Sequence, residues 1–307
     1  MLPFLLRRIL LLVPMLFGVS LVTFIMIHLV PGDPVSTLMG TNVNGAAGLQ
    51  QARHELGLDL PLPVQYARYV GNALHGDLGT SIRSGRPVLS EIGDRLPATL
   101  ALTLAAMAVA IVLGVGIGTL AAATRSRSLA GTVMLVSILG ISLPTFWLGL
   151  LLIDVFALNL RWFPVLGDST LRTLILPAVT LGLPAAAVLA RVTRAGLVEV
   201  LRHDYIRTAR AKGLRRRRVV LRHALRNGLI VVLTIAGLQF GGLLAGSIIV
   251  ESVFSRPGLG SLVVNAILGS DYPVIQGVVL VFAVIYVVIN AALDILYGIV
   301  NPLIRVS

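Results

Sequence analysis

Six long apolar segments constrain this 307-residue chain more than any other feature of its sequence. An α-helix needs ~20 residues to cross a bilayer, and each segment meets that length. Because lipid offers no partner to unpaired backbone groups, lone strands cannot span it, and we predict helices. Pro144, Pro177 and Pro184 are expected to kink or break the third and fourth spans. The expected spans are Ile9–Val30, Thr99–Ala123, Gly131–Leu158, Leu174–Ala195, Gly228–Val250 and Gln276–Val300.

The composition excludes a soluble domain. Hydrophobic residues make up 56% of the chain and charged residues 12%, against roughly 25% charged residues in a typical soluble domain. A soluble globule of this composition would have to cover its exterior with apolar side chains. The absence of cysteine removes disulfide frameworks, thiolate metal sites and cysteine nucleophiles. The predicted fold class is therefore all-α, a polytopic membrane protein with six transmembrane helices.

Basic residues are distributed unequally between the two sides of the predicted spans. With the N-terminus inside, most of the 25 Lys and Arg residues fall on the inner side, where the only acidic residues are Glu199 and Asp204. The positive-inside rule therefore predicts that both termini are cytoplasmic. The excess charge lies in one membrane-bounded loop without interleaved aromatic residues, so the net charge of +12 does not indicate nucleic-acid binding. Arg7 and Arg8 precede the first apolar run, and no small-x-small cleavage site follows, which favours an uncleaved signal anchor.

The expected organisation has three parts. Residues 1–30 form an N-terminal transmembrane helix, residues 31–97 an extracytoplasmic segment, and residues 98–303 a five-helix core with a cytoplasmic loop at residues 197–227. In the outer segment, apolar residues at helical spacing over Pro63–Gly76 predict a short helix lying on the membrane. The outer segment is too long for a simple connector, and we expect it to contact a partner or to cap a pore.

Motifs for common catalytic chemistries are missing from the sequence. The single lysine, Lys212, is followed by Gly213 and Leu214, so no G-x-x-x-x-G-K-[ST] phosphate loop exists. There is no H-E-x-x-H motif and no G-x-S-x-G motif, and the five histidines are scattered. The sequence therefore predicts no catalytic residue, no metal ligand and no cofactor site in this chain, which argues against a membrane enzyme.

Ionisable and polar side chains within membrane spans are candidates for a translocation path, and we single out four of them here. They are Asp154, Gln239, Asn290 and Asp294. A second interpretation stays open for each of them. The two aspartates would lie near span ends that water reaches, and the two amides would form hydrogen bonds between helices.

The inner loop contains a short helix with defined ends. Asp204 is predicted to be its N-cap and Gly213 its C′ residue. Small residues between them would allow another surface to approach the backbone closely. Four consecutive arginines, Arg215–Arg218, follow the helix and are suited to contact anionic lipid. Lipid contact alone does not explain a capped helix with a small-residue face.

The segment Tyr205–Gly213 resembles the cytoplasmic EAA loop of permease subunits in ATP-binding cassette importers of the peptide/nickel class. The basic stretch His223–Asn227 follows it as in that family. Arg207 and Thr208 stand where Glu and Ala are usual in the general EAA pattern, as is common in the peptide class. The loop also lacks the proline that usually precedes the fifth span. Further landmarks are Pro31-Gly32-Asp33-Pro34, Gly76-Asp77-Leu78-Gly79, Pro257-Gly258-Leu259-Gly260 and Asp271-Tyr272-Pro273.

The resemblance covers nearly the whole chain and looks closest to the first of two permeases in dipeptide and glutathione importers. It implies the type I importer permease fold in a bacterial cytoplasmic (inner) membrane, with this chain forming half of a two-permease pore. The implied partners are a second homologous permease, two cytoplasmic ATPase subunits that bind ATP and Mg, an extracytoplasmic solute-binding protein and membrane lipid. The residues implied to couple to the ATPase are Asp204, Tyr205, Arg207, Thr208, Ala209, Ala211, Gly213 and Leu214.

The substrate expected from the resemblance is a dipeptide or oligopeptide, with glutathione or nickel as the alternative within the class. Direct nickel ligation is disfavoured, because the spans contain no cluster of histidines or carboxylates. A passive channel is the alternative of another class. Such a channel would need a charge ring or a selectivity filter, and the sequence shows neither.

Overall fold

The computed structural model describes residues 14–25, 59–124, 126–164 and 171–300, and these residues are almost entirely helical. The only strand-like pairing among them is an isolated bridge between Thr80 and Pro87. In chain order the helices are α1 (Pro14–Ile25), α2 (Leu62–Leu74), α3 (Val88–Ala123), α4 (Arg127–Ser142), α5 (Thr145–Leu152), α6 (Leu171–Val200), α7 (Asp204–Ala211), α8 (Arg216–Arg218), α9 (Leu225–Val253), α10 (Leu259–Leu268) and α11 (Tyr272–Val300). Two π-helical segments, Ile153–Asn159 and Val219–Ala224, extend α5 and precede α9. The all-α prediction is confirmed.

Among the described residues, four helices are long and apolar enough to cross a membrane, at Val88–Ala123, Leu171–Val200, Val231–Val253 and Tyr272–Ala292. They cover four of the six predicted spans. The third predicted span is divided, because α4 ends at Ser142 and α5 begins at Thr145. The ends of the first span, the Pro31–Pro34 landmark and both chain termini lie outside the described residues. Six spans with cytoplasmic termini therefore stay a prediction.

The prolines have unequal effects on their helices. Pro144 separates α4 from α5 and has an extended backbone, as expected. By contrast, α6 continues through Pro177 and Pro184 without a break. Both prolines lie on a helix that is buried over much of its length, and neighbouring helices stabilise a proline-containing turn that would open in water. A break therefore occurs at Pro144 and not at Pro177 or Pro184, and a kink at the latter two stays a prediction.

The helix that contains the second predicted span begins before the predicted start of that span. This helix, α3, starts at Val88 and includes Pro97, so about ten residues assigned to the extracytoplasmic segment are its first turns. The short outer helix predicted at Pro63–Gly76 is observed as α2.

Two compact units make up the fold: Met1–Pro97 with Pro257–Val287, and Ala98–Arg256 with Val288–Ser307. In the first unit, a buried carboxylate organises the loop between α2 and α3. Asp271 accepts hydrogen bonds from the Ser81 hydroxyl (2.6 Å) and from the backbone N–H groups of Ile82 (3.1 Å) and Arg83 (3.3 Å). The Ser84 hydroxyl donates to Glu91, on the first turn of α3.

Helices α3 and α6 cross at close range within the core of the second unit, to which α9 also contributes. Gly114 and Gly118 lie one turn apart on α3, and α6 passes directly over them. A Cβ atom at Gly118 would lie 2.5 Å from the carbonyl oxygen of Ala190 and 2.6 Å from the Cβ of Thr193. The same close approach occurs at Gly182 on α6, where a Cβ atom would lie 2.5 Å from the carbonyl oxygen of Ala106 on α3. Helix backbones in membranes approach this closely only where small residues line the contact.

Candidate functional site

Helix α7 and the basic segment after it form the candidate site, on the predicted cytoplasmic side. The helix ends at Gly213, whose φ of +75° favours glycine. The N–H of Gly213 donates to the Arg210 carbonyl (3.0 Å), and that of Leu214 donates to the Ala209 carbonyl (3.4 Å). These two bonds form a Schellman motif, which satisfies carbonyls that the last helical turn would leave unpaired. Gly213 is therefore the C′ residue, as predicted.

The start of α7 differs from the prediction. His203, not Asp204, is the N-cap, and its side chain makes no capping hydrogen bond. Asp204 is the first helical residue, and its carboxylate lies 3.5 Å from the guanidinium of Arg207. An aspartate in the first turn still stabilises the helix, because its negative charge faces the positive end of the helix dipole. The ion pair is highly exposed and contributes little.

One face of α7 is packed against the protein itself. Ile206 is fully buried and Ala209 is 8% exposed. Both belong to a cluster that includes Leu197 at the end of α6 and Val219 in the segment before α9, and Leu214 packs against the same cluster. Residues three apart share one face of a helix, so Ile206 and Ala209 together attach α7 to the ends of two long helices.

The burial of Ala209 corrects one expectation about the coupling surface. Ala209 was predicted to be part of the small face offered to the ATPase, but its side chain faces inward. The residues of α7 and its C-terminal turn that remain exposed are Asp204, Tyr205, Arg207, Thr208, Arg210, Ala211, Lys212 and Gly213.

A side-chain hydrogen bond links α7 to α9. The amide of Asn227 donates to the phenolic oxygen of Tyr205 at 2.8 Å. The Tyr205 ring also lies 5.8 Å from the His203 ring, centroid to centroid. By contrast, the Thr208 hydroxyl donates only to the carbonyl of Asp204 in its own helix (3.1 Å). The Tyr205–Asn227 bond spans 22 residues, and the sequence had indicated Asn227 only as a family landmark.

The basic segment is exposed along its length. Arg215–Arg218 lie at the surface, while the next two residues, Val219 and Val220, are buried. The chain from Arg216 to Val253 is continuously helical through α8, the π segment and α9. The buried valines therefore fix the arginines at the start of the helical segment that leads into the fifth predicted span.

The four polar residues predicted within the spans have different surroundings. Asp154 is exposed in the π-helical segment and accepts a hydrogen bond from the Asn159 amide (3.2 Å). Gln239 and Asn290 are half-buried on α9 and α11. The Asp294 side chain lies outside the described residues. Their role in a translocation path stays a prediction.

A buried glutamate and a buried arginine near the end of α9 were not predicted. Glu251 is fully buried and accepts a hydrogen bond from the Thr99 hydroxyl at 2.6 Å. Arg256, just after the helix, is 7% exposed. Burial lowers the pKa of the Arg256 guanidinium, and the negative charge of Glu251 opposes that shift. The sequence does show Glu251 at the end of an apolar run, which could have indicated a buried carboxylate. It does not show that Thr99 is the hydrogen-bond partner of that carboxylate.

The described residues contain no group of three or more His, Cys, Asp or Glu side chains that could hold a metal ion. The geometry thus offers an exposed helix fastened to two long helices and flanked by arginines. This arrangement is suited to protein contact at the membrane surface.

Comparison with known families and proteins gives consistent results. Residues 114–306 match the family described as binding-protein-dependent transport system inner membrane component. Residues 1–103 match the N-terminal family of the same membrane components. The glutathione transport system permease protein GsiC of Escherichia coli strain K12 is 47% identical over 305 residues, which is 99% of each chain. The protein of the same name from Shigella dysenteriae serotype 1 matches equally well.

Among solved structures, the inward-facing MetNI methionine ABC transporter is similar, with a TM-score of 0.60. The match covers 68% of this chain and 96% of that chain at 22% sequence identity. This likeness supports the fold. Together with the apolar helices, the family places this chain in the inner membrane as a multi-pass protein.

Proposed function

This chain belongs to the family of binding-protein-dependent transport system inner membrane components, and from that premise we propose that it is the permease through which an ATP-binding cassette importer takes up glutathione and related short peptides. The observation that carries the substrate proposal is the 47% identity, over 99% of both chains, to permeases named for glutathione transport. Dipeptides and oligopeptides are the broader substrate class, and nickel is the remaining alternative.

The proposed energy source lies in separate subunits. Two ATP-binding subunits would dock on the cytoplasmic face and bind ATP and Mg, and a second homologous permease would complete the pore. An extracytoplasmic solute-binding protein would deliver the substrate. ATP can shift the conformation of the permeases only through differential affinity for two states. Closure of the ATPase dimer supplies that difference in this proposal.

Helix α7 would transmit the movement. Its exposed face, with Tyr205, Thr208 and Ala211, would contact a groove on the ATPase. Its inner face, with Ile206 and Ala209, is packed into the cluster at the ends of α6 and α9. A force applied to α7 would therefore reach two long helices without first displacing a flexible loop. Alternating access would follow from the movement of these helices around a site near the middle of the membrane.

The test is ATP-dependent uptake into proteoliposomes that contain this chain with its co-encoded permease, ATPase and binding protein. We expect uptake of radiolabelled glutathione that unlabelled glutathione abolishes and Ni²⁺ leaves unchanged. Uptake of dipeptides but not of glutathione would replace the substrate proposal with the broader peptide class. Downhill solute flux without ATP would instead support a passive channel and overturn the importer mechanism.

A further inference from the structure

Helix α2 in the outer segment has three distinct faces. At 100° per residue, Tyr66 and Tyr69 share one face, and Arg68 and Asn72 share a second. The third face contains Pro63, Ala67, Gly71 and Leu74 and bears no charged or hydrogen-bonding side chain. An amphipathic surface helix usually has one apolar face packed against the protein and one polar face in water. A second apolar face, as on α2, therefore needs a separate explanation.

The aromatic face attaches α2 to α1, which lies within the predicted first span. The Tyr66 ring meets the Phe17 ring at 5.7 Å and the Phe24 ring at 5.4 Å between centroids, both edge-on. The Tyr66 and Ser20 hydroxyl oxygens are 2.8 Å apart. The Tyr69 ring stacks on Phe24 at 6.3 Å. Burial raises the pKa of Tyr69 to about 12, and Tyr66 adds to that shift.

Within the part of the chain that the structure describes, the third face is uncovered. No residue of α2 is buried, and Leu74 is 81% exposed. The helix that α2 packs against also exposes large apolar side chains, including Phe17 and Val22. Leaving such surface in water costs about 25 cal/mol per Å², so these side chains need an apolar surrounding.

We propose that Pro63, Ala67 and Leu74 of α2 are embedded in the outer leaflet of the membrane, with lipid acyl chains as their partner. Three observations favour lipid over the binding protein. The face has no polar side chain with which to fix the orientation of a soluble protein. It is attached to a helix that itself exposes apolar side chains. The stripe of Arg68 and Asn72 points about 120° away, where headgroups and water would lie, and the tyrosines suit the interface.

The absence of cysteine makes this proposal directly testable. Single-cysteine variants Ala67→Cys and Leu74→Cys place a nitroxide spin label on the third face, and Asn72→Cys places the matched label on the polar stripe. Each full-length variant is assembled with its partner subunits in phosphatidylethanolamine–phosphatidylglycerol nanodiscs. The measurement compares the collision of each label with oxygen, which concentrates in lipid, and with a water-soluble nickel chelate.

We expect the labels at positions 67 and 74 to favour oxygen and the label at 72 to favour the nickel chelate. Equal access of the nickel chelate to all three labels would show that the third face lies in water and would overturn the proposal. Protection of labels 67 and 74 from both reagents would also overturn it. Protection seen only after the binding protein is added would indicate a docking surface, and protection without it a contact with the partner permease. The measurement is the accessibility of the labels and does not involve glutathione uptake. Its outcome is therefore independent of whether the proposed substrate is correct.

Discussion

Ala209 and Ala211 are two residues apart on α7 and have opposite surroundings. Ala209 is packed into the cluster beneath the helix, and Ala211 is exposed on the outer side. Two residues along a helix correspond to a rotation of about 200°, so one alanine serves the fold and the other is available to a partner. The identity of the residue does not distinguish these roles, but its position on the helix does.

The pair Ala209→Trp and Ala211→Trp separates folding from coupling. Overpacking a tight contact costs about 1–3 kcal/mol, so Ala209→Trp should lower the amount of folded permease in the membrane. Ala211→Trp should leave that amount unchanged but reduce ATPase co-purification and uptake. Membrane level, co-purified ATPase and uptake are measured for both. If Ala211→Trp retains its ATPase and transports normally, the exposed face of α7 is not the coupling surface.

The hydrogen bond between Tyr205 and Asn227 offers a second test at this scale. Such a bond contributes about 0.5–1.5 kcal/mol, and it holds α7 against the first turn of α9. Tyr205→Phe and Asn227→Ala should each lower the amount of solute imported per ATP hydrolysed, and the double variant should be no worse than the single variants. Strictly additive losses would show that the two side chains act independently.

The crossing of α3 and α6 is a tightly constrained contact between elements in the second unit. Gly114, Gly118 and Gly182 line it, and at each of them a side chain would meet backbone atoms of the other helix. Backbone atoms cannot move aside as the end of a flexible side chain can. The helices must therefore separate if any of these glycines acquires a methyl group.

Gly118→Ala and Gly116→Ala provide a matched comparison on α3. A methyl group at Gly118 would lie 2.5 Å from a carbonyl oxygen, whereas nothing lies within 4 Å of one at Gly116. We expect Gly118→Ala to lower the thermal stability of the purified permease. Gly116→Ala should leave stability unchanged or raise it, because alanine favours helix by roughly 1 kcal/mol over glycine. Equal thermal stability of the two variants would contradict the close approach of α3 and α6 at Gly118.

The whole molecule combines membrane helices, a strongly basic inner side and no phosphate-binding motif. Its net charge of +12 comes from 25 basic and 13 acidic residues. By the positive-inside rule, the charges gathered at the predicted inner ends of the spans would orient the chain in the membrane. In the proposed importer, separate ATPase subunits would supply the energy.

Purified alone, the chain should therefore hydrolyse no ATP. Lys212, its single lysine, is exposed at the end of α7, outside any phosphate loop. ATPase turnover is compared with a mock preparation and with the complex that contains the ATP-binding subunits. We expect turnover only in the complex. Turnover by the isolated chain above the mock level would contradict the assignment of ATP chemistry to the partners.

Several features of this protein are local and were determined by the sequence alone. The apolar runs predict helices because lipid demands internal hydrogen bonds from any segment that crosses it. Gly213 predicts the end of α7 because a left-handed residue at C′ favours glycine wherever the helix lies. The outer helix follows from apolar spacing over a few turns. Each inference uses interactions between residues that are at most a few helical turns apart.

The remaining features depend on residues that are distant in sequence, and only the tertiary structure decided them. Thr99 donates to Glu251 across 152 residues, and α6 tolerates Pro177 and Pro184 because it is enclosed by its neighbours. Ala209 faces inward because Leu197 and Val219 meet beneath α7. Hydropathy and backbone preference predict that a helix forms. Which of its faces is buried is decided by the elements that pack against it, since the burial free energy arises at that contact.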